Sequence, residues 1–175
     1  MTKKSVKTKK VGKKKSSPIP PGLLVSDRVQ LKDVRLIDSH CTQVPDASFG
    51  PKTFDINYST KLEIDKKNSC VIVIVKFDFA AFTENNTQKP AITISASFLL
   101  VYEIANFDGL TQEGFKQFAD LNGIYNAWPY WREFVQNTIV RMGLPSLSIP
   151  VFRIVNTTKK RIVKKKTAKK KGTKT

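Results

Sequence analysis

The segment FDINYSTKLEIDKKNSCVIVIVKFDFAAF, residues 54–82, decides the fold. Its first part alternates apolar and polar residues, which predicts a strand with one face buried or bound and the other in water. The apolar positions are Phe54, Ile56, Tyr58, Leu62 and Ile64. Residues 66–69 then predict a turn, so the run from Cys70 to Phe82 returns antiparallel as a hairpin. Because this run starts with apolar residues on both faces, we expect it in the middle of the sheet.

Two further strands flank the hairpin. Upstream, the apolar parity of residues 29–36 switches across Lys32–Asp33, which predicts a long strand with a β-bulge at that point. Downstream, apolar residues alternate from Ile92 to Ile104 and predict a fourth strand. Residues 45–51 and 83–90 between these strands predict loops.

The period lengthens to that of a helix after Gly109. Thr111 predicts a helix start, and the first helix is expected to end before Gly123. A second helix is predicted with Pro129 in its first turn and Gly143 as its left-handed C-cap, followed by a last extended piece over residues 147–154. The predicted fold class is therefore α+β, a four-stranded antiparallel sheet with two C-terminal helices on one face.

Positive charge is concentrated at the two ends of the chain. The formal net charge is +17, yet residues 1–17 and 156–175 hold 18 of the 31 Lys and Arg and no acid, which leaves residues 18–155 at about −1. Dense like charge with little apolar surface predicts disorder. We expect a disordered lysine-rich tail and Pro-rich linker over residues 1–22, one folded domain over residues 23–155, and a second disordered tail over residues 156–175.

Candidate residues for chemistry are scarce. His40 is the sole histidine, and its neighbour Cys41 should point to the opposite side of the strand, so a nucleophile–base pair is not supported. One histidine and two cysteines, Cys41 and Cys70, do not make a zinc site, and no glycine-rich phosphate loop occurs. We expect no catalytic residue, metal or cofactor. No secretory signal or membrane span is apparent, so we expect a cytoplasmic protein.

Several motifs resemble those of the SecB family of protein-export chaperones. The stretch from Tyr125 to Glu133, YNAWPYWRE, resembles that family's aromatic–Pro–Tyr–x–Arg–Glu signature, and residues 141–151, RMGLPSLSIPV, resemble its ending. Upstream, residues 32–34 and 61–65 resemble its Lys-Asp-Ile and Lys-Leu-Asp-Leu-Asp elements. The order and spacing of these motifs agree over roughly residues 23–154.

The resemblance implies a holdase, a chaperone that binds unfolded clients or preproteins for export and translocation. It implies a homotetramer built as a dimer of dimers, with client grooves lined by Ile56, Leu62 and Ile64. It also implies a translocase motor as a partner, with Asp33 matching one carboxylate of the acidic patch that receives the motor. The next acidic position of that patch falls near Ile37, and the lysine-rich tails also depart from the family's acidic character. Some relatives guard the antitoxin of a toxin–antitoxin pair instead.

The tails leave a second function class open. Eighteen basic groups in two runs would bind phosphates non-specifically by releasing counterions. The runs lack aromatic residues that would stack on bases, which speaks against sequence-specific recognition. The tails could also tether a client-holding domain to a polyanion such as ribosomal RNA, or to an anionic membrane surface.

Overall fold

The computed structural model describes residues 19–44, 53–83 and 88–153. A short helix, α1 (Pro21–Ser26), precedes four strands: β1 (Val29–Gln43), β2 (Thr53–Asp65), β3 (Cys70–Phe82) and β4 (Ile92–Ile104). Helix α2 (Gln112–Phe118), a π-helical turn (Ala119–Gly123) and helix α3 (Ile124–Arg141) follow. The strands form one antiparallel sheet in the order β1-β4-β3-β2. The predicted fold class and the central position of β3 are confirmed.

The core lies between the sheet and the helices. On the helix side of β3 every residue is buried, whereas the residues between them lie on the other face, the open face, which no described helix covers. The buried positions are Val71, Val73, Val75, Phe77, Phe79 and Ala81. Trp131 of α3 stacks on Phe77 with ring centroids 5.2 Å apart. The alternation in the sequence therefore marks the core side of the sheet correctly.

The long edge strand β1 carries two bulges. The register against β4 shifts between Leu31 and Asp33, which confirms the bulge predicted at Lys32–Asp33. A second shift, between Leu36 and Asp38, was not predicted. Each bulge increases the local twist and re-aims the residues that follow it.

The two predicted helices form one continuous helical stretch. Thr111 caps α2 as predicted, because its hydroxyl accepts a hydrogen bond from the Gly114 amide at 3.1 Å. The predicted end before Gly123 is wrong, since the π-helical turn carries the chain directly into α3. Placing Pro129 in the first turn of the second helix is also wrong, because α3 begins at Ile124 and Pro129 lies inside it.

Gly123 serves close packing instead of helix termination. A Cβ at this position would lie 2.8 Å from the Cγ1 of Val73, so only glycine lets the helix approach β3 so closely. The C-cap prediction at Gly143 is confirmed, with φ of +74°. Pro21 and Gly22 were expected in a linker, whereas they belong to α1, where the Gly22 amide donates to the Gln117 side-chain oxygen at 3.3 Å.

The predicted division into domain and tails is only partly covered by the described residues. Residues 1–18 of the first tail and linker, the whole second tail and the whole predicted loop over residues 45–51 lie outside the described ranges. That division therefore stays a prediction.

Candidate functional site

The apolar residues of β2 form a row on the helix side of the sheet. Each member pairs with a buried residue of β3, and each is partly exposed because β2 is an edge strand. Tyr58 is the most open of them, with 47% of its surface exposed. We call this set the β2 apolar row: Phe54, Ile56, Tyr58, Leu62 and Ile64.

The two ends of the row have different surroundings. At the Leu62 end, the π-helical turn lies close by, and the Asp120 carboxylate accepts a hydrogen bond from Thr60. Leu62 lines a groove of about 300 Å³ whose other walls are mostly polar side chains of α2 and the turn. At the Tyr58 end, the row contacts aromatic rings. The ring of Phe54 stacks on that of Phe79 with centroids 5.6 Å apart, and the ring of Tyr58 contacts that of Phe152 with centroids 6.2 Å apart.

A second and more apolar groove lies beside α3. It has a volume of about 420 Å³ and lies between the start of β1, the first half of α3 and the C-terminal end of the described chain. We call it the aromatic groove. Its lining residues are Leu31, Tyr125, Asn126, Trp128, Pro129, Tyr130, Arg132, Val151 and Phe152.

Phe152 separates the aromatic groove from the β2 apolar row. Its ring lies 5.3 Å from the ring of Trp128 in the groove and 6.2 Å from that of Tyr58 in the row. One half-buried side chain therefore stands between two exposed apolar surfaces. Together they provide a surface of the kind that binds extended apolar chains by burial.

The predicted client-binding residues share one row but not one groove. Ile56, Leu62 and Ile64 all lie on the helix side of β2 and pack partly against the core. Of the three, only Leu62 lines one of the grooves described above. Their role in client binding stays a prediction. The sequence analysis did not single out Phe152 or the exposed Tyr125 and Tyr130 as candidates, although both tyrosines stand in the motif YNAWPYWRE.

Asp33 lies on the open face of the sheet, opposite the β2 apolar row. Its carboxylate accepts a hydrogen bond from Arg35, and nearby Lys32 pairs with Glu103 at 2.6 Å. Ile37 lies in the second bulge, beside a dip of about 230 Å³ that Ser97 and Ile74 also line. The open face thus carries positive and negative side chains around an apolar centre. The role of Asp33 in partner binding stays a prediction.

The surroundings of the two cysteines disfavour the thiolate form. Partial burial raises the pKa of the Cys41 thiol, and burial together with the carboxylates of Asp65 and Glu63 raises that of Cys70. Thiols with raised pKa stay protonated near neutral pH and react slowly. Within the described ranges, no group of three or more His, Cys, Asp or Glu could hold a metal ion, and no helix is long and apolar enough to span a membrane.

The comparisons with known proteins bear on the fold. No protein-family model and no curated protein matches the sequence. Among solved structures, the chain is similar to the Mycobacterium tuberculosis Rv1957 SecB-like chaperone, in complex with a ChAD peptide from the Rv1956 HigA1 antitoxin. The TM-score is 0.68 at 21% sequence identity, and the match covers 78% of this chain and 99% of that chain.

A protein of unknown function from Streptococcus agalactiae matches with a TM-score of only 0.38 and 11% identity over 70% of this chain and 96% of that chain. The likeness to Rv1957 shows that this chain has a SecB-like fold. The fold expected from the sequence motifs is therefore confirmed.

Proposed function

We propose that this protein is a non-catalytic, cytoplasmic chaperone that holds unfolded client proteins on its helix-side surface. The observation that carries the proposal is the pair of exposed apolar surfaces, the β2 apolar row and the aromatic groove, on a SecB-like fold. Apolar burial gains about 25 cal/mol per Å² whatever the client's sequence, so such a surface suits many clients. Aromatic side chains add large contact areas at low cost in conformational entropy.

The test is a holding assay with a chemically unfolded enzyme that aggregates on dilution. We expect the purified chain to slow aggregation at about one binding site per client chain. Leu62→Ser should weaken holding severalfold, because it removes apolar surface from the row. Val140→Ser is the matched control, since Val140 is exposed near the end of α3 and lies outside both surfaces. If the wild-type chain leaves aggregation unchanged, the proposal is wrong.

Two classes of client are compatible with the fold. The SecB resemblance favours preproteins on their way to export, whereas the antitoxin peptide in the Rv1957 complex favours a chaperone of a toxin–antitoxin pair. Adding an antitoxin encoded beside this gene, or a preprotein with its signal, to the holding assay separates the routes. The neighbouring genes would name the candidates to test.

The export route carries a translocase motor as a further partner. We propose that the motor docks on the open face beside Asp33, because that face lies opposite the β2 apolar row and carries several carboxylates. Asp33→Asn should then weaken motor binding and leave client holding unchanged. If the wild type and the Asp33→Asn variant bind the motor equally well, Asp33 does not take part in motor binding.

We also propose that the chain assembles as a homotetramer, a dimer of dimers. The edge strand β1 exposes about half of the surface of Leu36 and of Ile37, apolar area that a second copy would cover. Light scattering should give a mass four times that of the 19.7-kDa chain. A monomer at micromolar concentration would contradict this assembly.

A second candidate function, polyanion binding, rests on the 18 basic groups of the lysine-rich tails. We propose that the tails bind nucleic acid or ribosomes non-specifically and so hold the chaperone near emerging clients. Such binding should weaken steeply with salt and disappear when residues 1–18 and 156–175 are removed. Undiminished ribosome co-sedimentation of the shortened chain would rule out the tails as the cause.

A further inference from the structure

The described end of the chain, residues 144–153, packs against α3 without belonging to any helix or strand. We call it the C-terminal segment. Its first residue, Leu144, donates its amide to the Ile139 carbonyl at 3.2 Å. Within the described part of the chain, residues 145–153 make no backbone-to-backbone hydrogen bond. Among the described residues, hydrogen bonds from side chains and side-chain packing hold the rest of the segment in place.

Two side chains of α3 donate hydrogen bonds to consecutive carbonyls of the C-terminal segment. The Arg132 Nε donates to the Ile149 carbonyl at 2.8 Å, and the Trp128 Nε1 donates to the Pro150 carbonyl at 2.9 Å. Residues four apart share one face of a helix, so the two donors stand side by side. Every peptide carries carbonyls, and this contact is therefore independent of client sequence.

Apolar anchors complete the hold on the segment. Ile149 is buried with 2% of its surface exposed, and Phe152 places its ring between Trp128 and Tyr58. The segment is thus a peptide outside any helix or strand, bound by carbonyl contacts and side-chain burial on the same side of the fold as the proposed client surface.

Trp128 and Arg132 lose their carbonyl acceptors when the segment leaves. Both hydrogen bonds are only partly buried, so water replaces the carbonyls, and each exchange changes the free energy by only about 1 kcal/mol. An incoming peptide backbone restores the same two hydrogen bonds, and its apolar side chains gain free energy by burial in the place of Ile149 and Phe152.

We propose that Trp128 and Arg132 form a carbonyl-receiving peptide site that residues 149–152 occupy from within the chain and that an extended apolar peptide takes over. Departure of Phe152 joins the aromatic groove to the β2 apolar row, so exchange also enlarges the apolar surface. Only the identification of that peptide with a client rests on the proposed function.

The experiment measures binding of a labelled synthetic peptide with the sequence of residues 146–153, SLSIPVFR, to the full chain by fluorescence anisotropy. In the wild type the chain's own segment competes with the added peptide. Phe152→Ala weakens only the internal competitor, because the peptide keeps its own phenylalanine. We expect this variant to bind the peptide about fivefold more tightly than the wild type.

The donor is tested in the Phe152→Ala background, where internal competition no longer cancels the effect. Adding Trp128→Phe keeps one aromatic ring but removes the N–H together with part of the indole surface, and should weaken peptide binding about fivefold relative to Phe152→Ala alone. Val140→Ala should bind like the wild type. Phe152→Leu, a milder change in case Phe152→Ala unfolds, should fall between the wild type and Phe152→Ala.

Each outcome decides the proposal. Equal affinity of the wild type and the Phe152 variants overturns the internal competition, and no effect of Trp128→Phe overturns the donor role. The client-holding assay on the same preparations separates the two proposals. Client holding without the peptide pattern refutes this inference alone, whereas the peptide pattern without client holding refutes the proposed function alone.

Discussion

The helix side of the sheet has two covers that are built differently. The helical cover, from α2 through α3, has its backbone hydrogen bonds satisfied within the helices and buries Phe118, Trp131 and Ile139 almost completely. The C-terminal segment covers its part of the fold as a chain outside any helix or strand, held by two side-chain donors and a few apolar anchors. One cover is part of the folded core, whereas the other resembles a bound peptide.

The difference indicates where the molecule can change without unfolding. Removing the helical cover would expose the centre of the core, which includes the stacked rings of Trp131 and Phe77. Removing the C-terminal segment would expose mainly the surroundings of Ile149 and Phe152. Segments with few backbone hydrogen bonds and few buried contacts open at a lower free energy than the rest of a protein. The two covers should therefore respond very differently to the same kind of mutation.

The largest effect is expected at Phe118, in the helical cover. Its ring is buried and packs edge-on against Tyr102 at 5.0 Å. Phe118→Ala should lower the free energy of unfolding by about 3–5 kcal/mol, because it leaves a cavity in the core. Chemical denaturation followed by tryptophan fluorescence measures this change. A loss below about 1 kcal/mol would mean that the helical cover is not part of the cooperative core.

The next effect is a loss of stability at alkaline pH through Tyr102. Burial raises the pKa of Tyr102 to about 12, although the hydrogen bond that its hydroxyl accepts from Asn126 at 3.0 Å lowers it. The unfolded tyrosine titrates near pH 10, so the unfolded state loses its proton first. This stability is fully present below pH 10 and falls by about 2–3 kcal/mol as the pH rises from 10 to 12.

The control for this alkaline effect is Tyr102→Phe. Lysines also titrate above pH 10, and only the difference between the two chains isolates the tyrosine. Denaturation at pH 8 and at stepwise higher pH should show that the variant loses less stability than the wild type. Parallel curves for both chains would assign the alkaline loss to other groups.

A smaller effect is expected at Gly123, where the helix approaches β3. Gly123→Ala improves helix propensity by about 1 kcal/mol but forces a methyl group against Val73. Overpacking a core costs about 1–3 kcal/mol, so we expect a net loss of about 1 kcal/mol. Val73→Ala makes room for the methyl group of Gly123→Ala. It should therefore lower the free energy of unfolding less in the Gly123→Ala variant than in the wild type. If Gly123→Ala alone raises the free energy of unfolding, the helix moves away from Val73 without loss of stability.

The sequence predicts elements that depend on local patterns, and fails where contacts between distant residues decide. The alternation of residues 54–65 and the parity switch at Lys32–Asp33 are local signals, and the sheet confirms both. Gly123 has the local appearance of a helix end, but its cause is contact with Val73, which no window of sequence contains. The aromatic groove needs Leu31 and Phe152, more than 100 residues apart, and so only the fold brings it together.

The smallest effect on stability is expected at Phe152, in the C-terminal segment. Phe152→Ala should lower the free energy of unfolding by about 1 kcal/mol or less, because its half-buried ring contacts only Trp128 and Tyr58 among the described aromatic rings. The same substitution at Phe118 removes the same atoms from the helical cover, so the pair is matched in chemistry. A loss at Phe152 as large as that at Phe118 would place the C-terminal segment in the cooperative core, and a segment so held could not give way to a peptide. A small loss at Phe152 beside a large one at Phe118 separates the two covers by direct measurement.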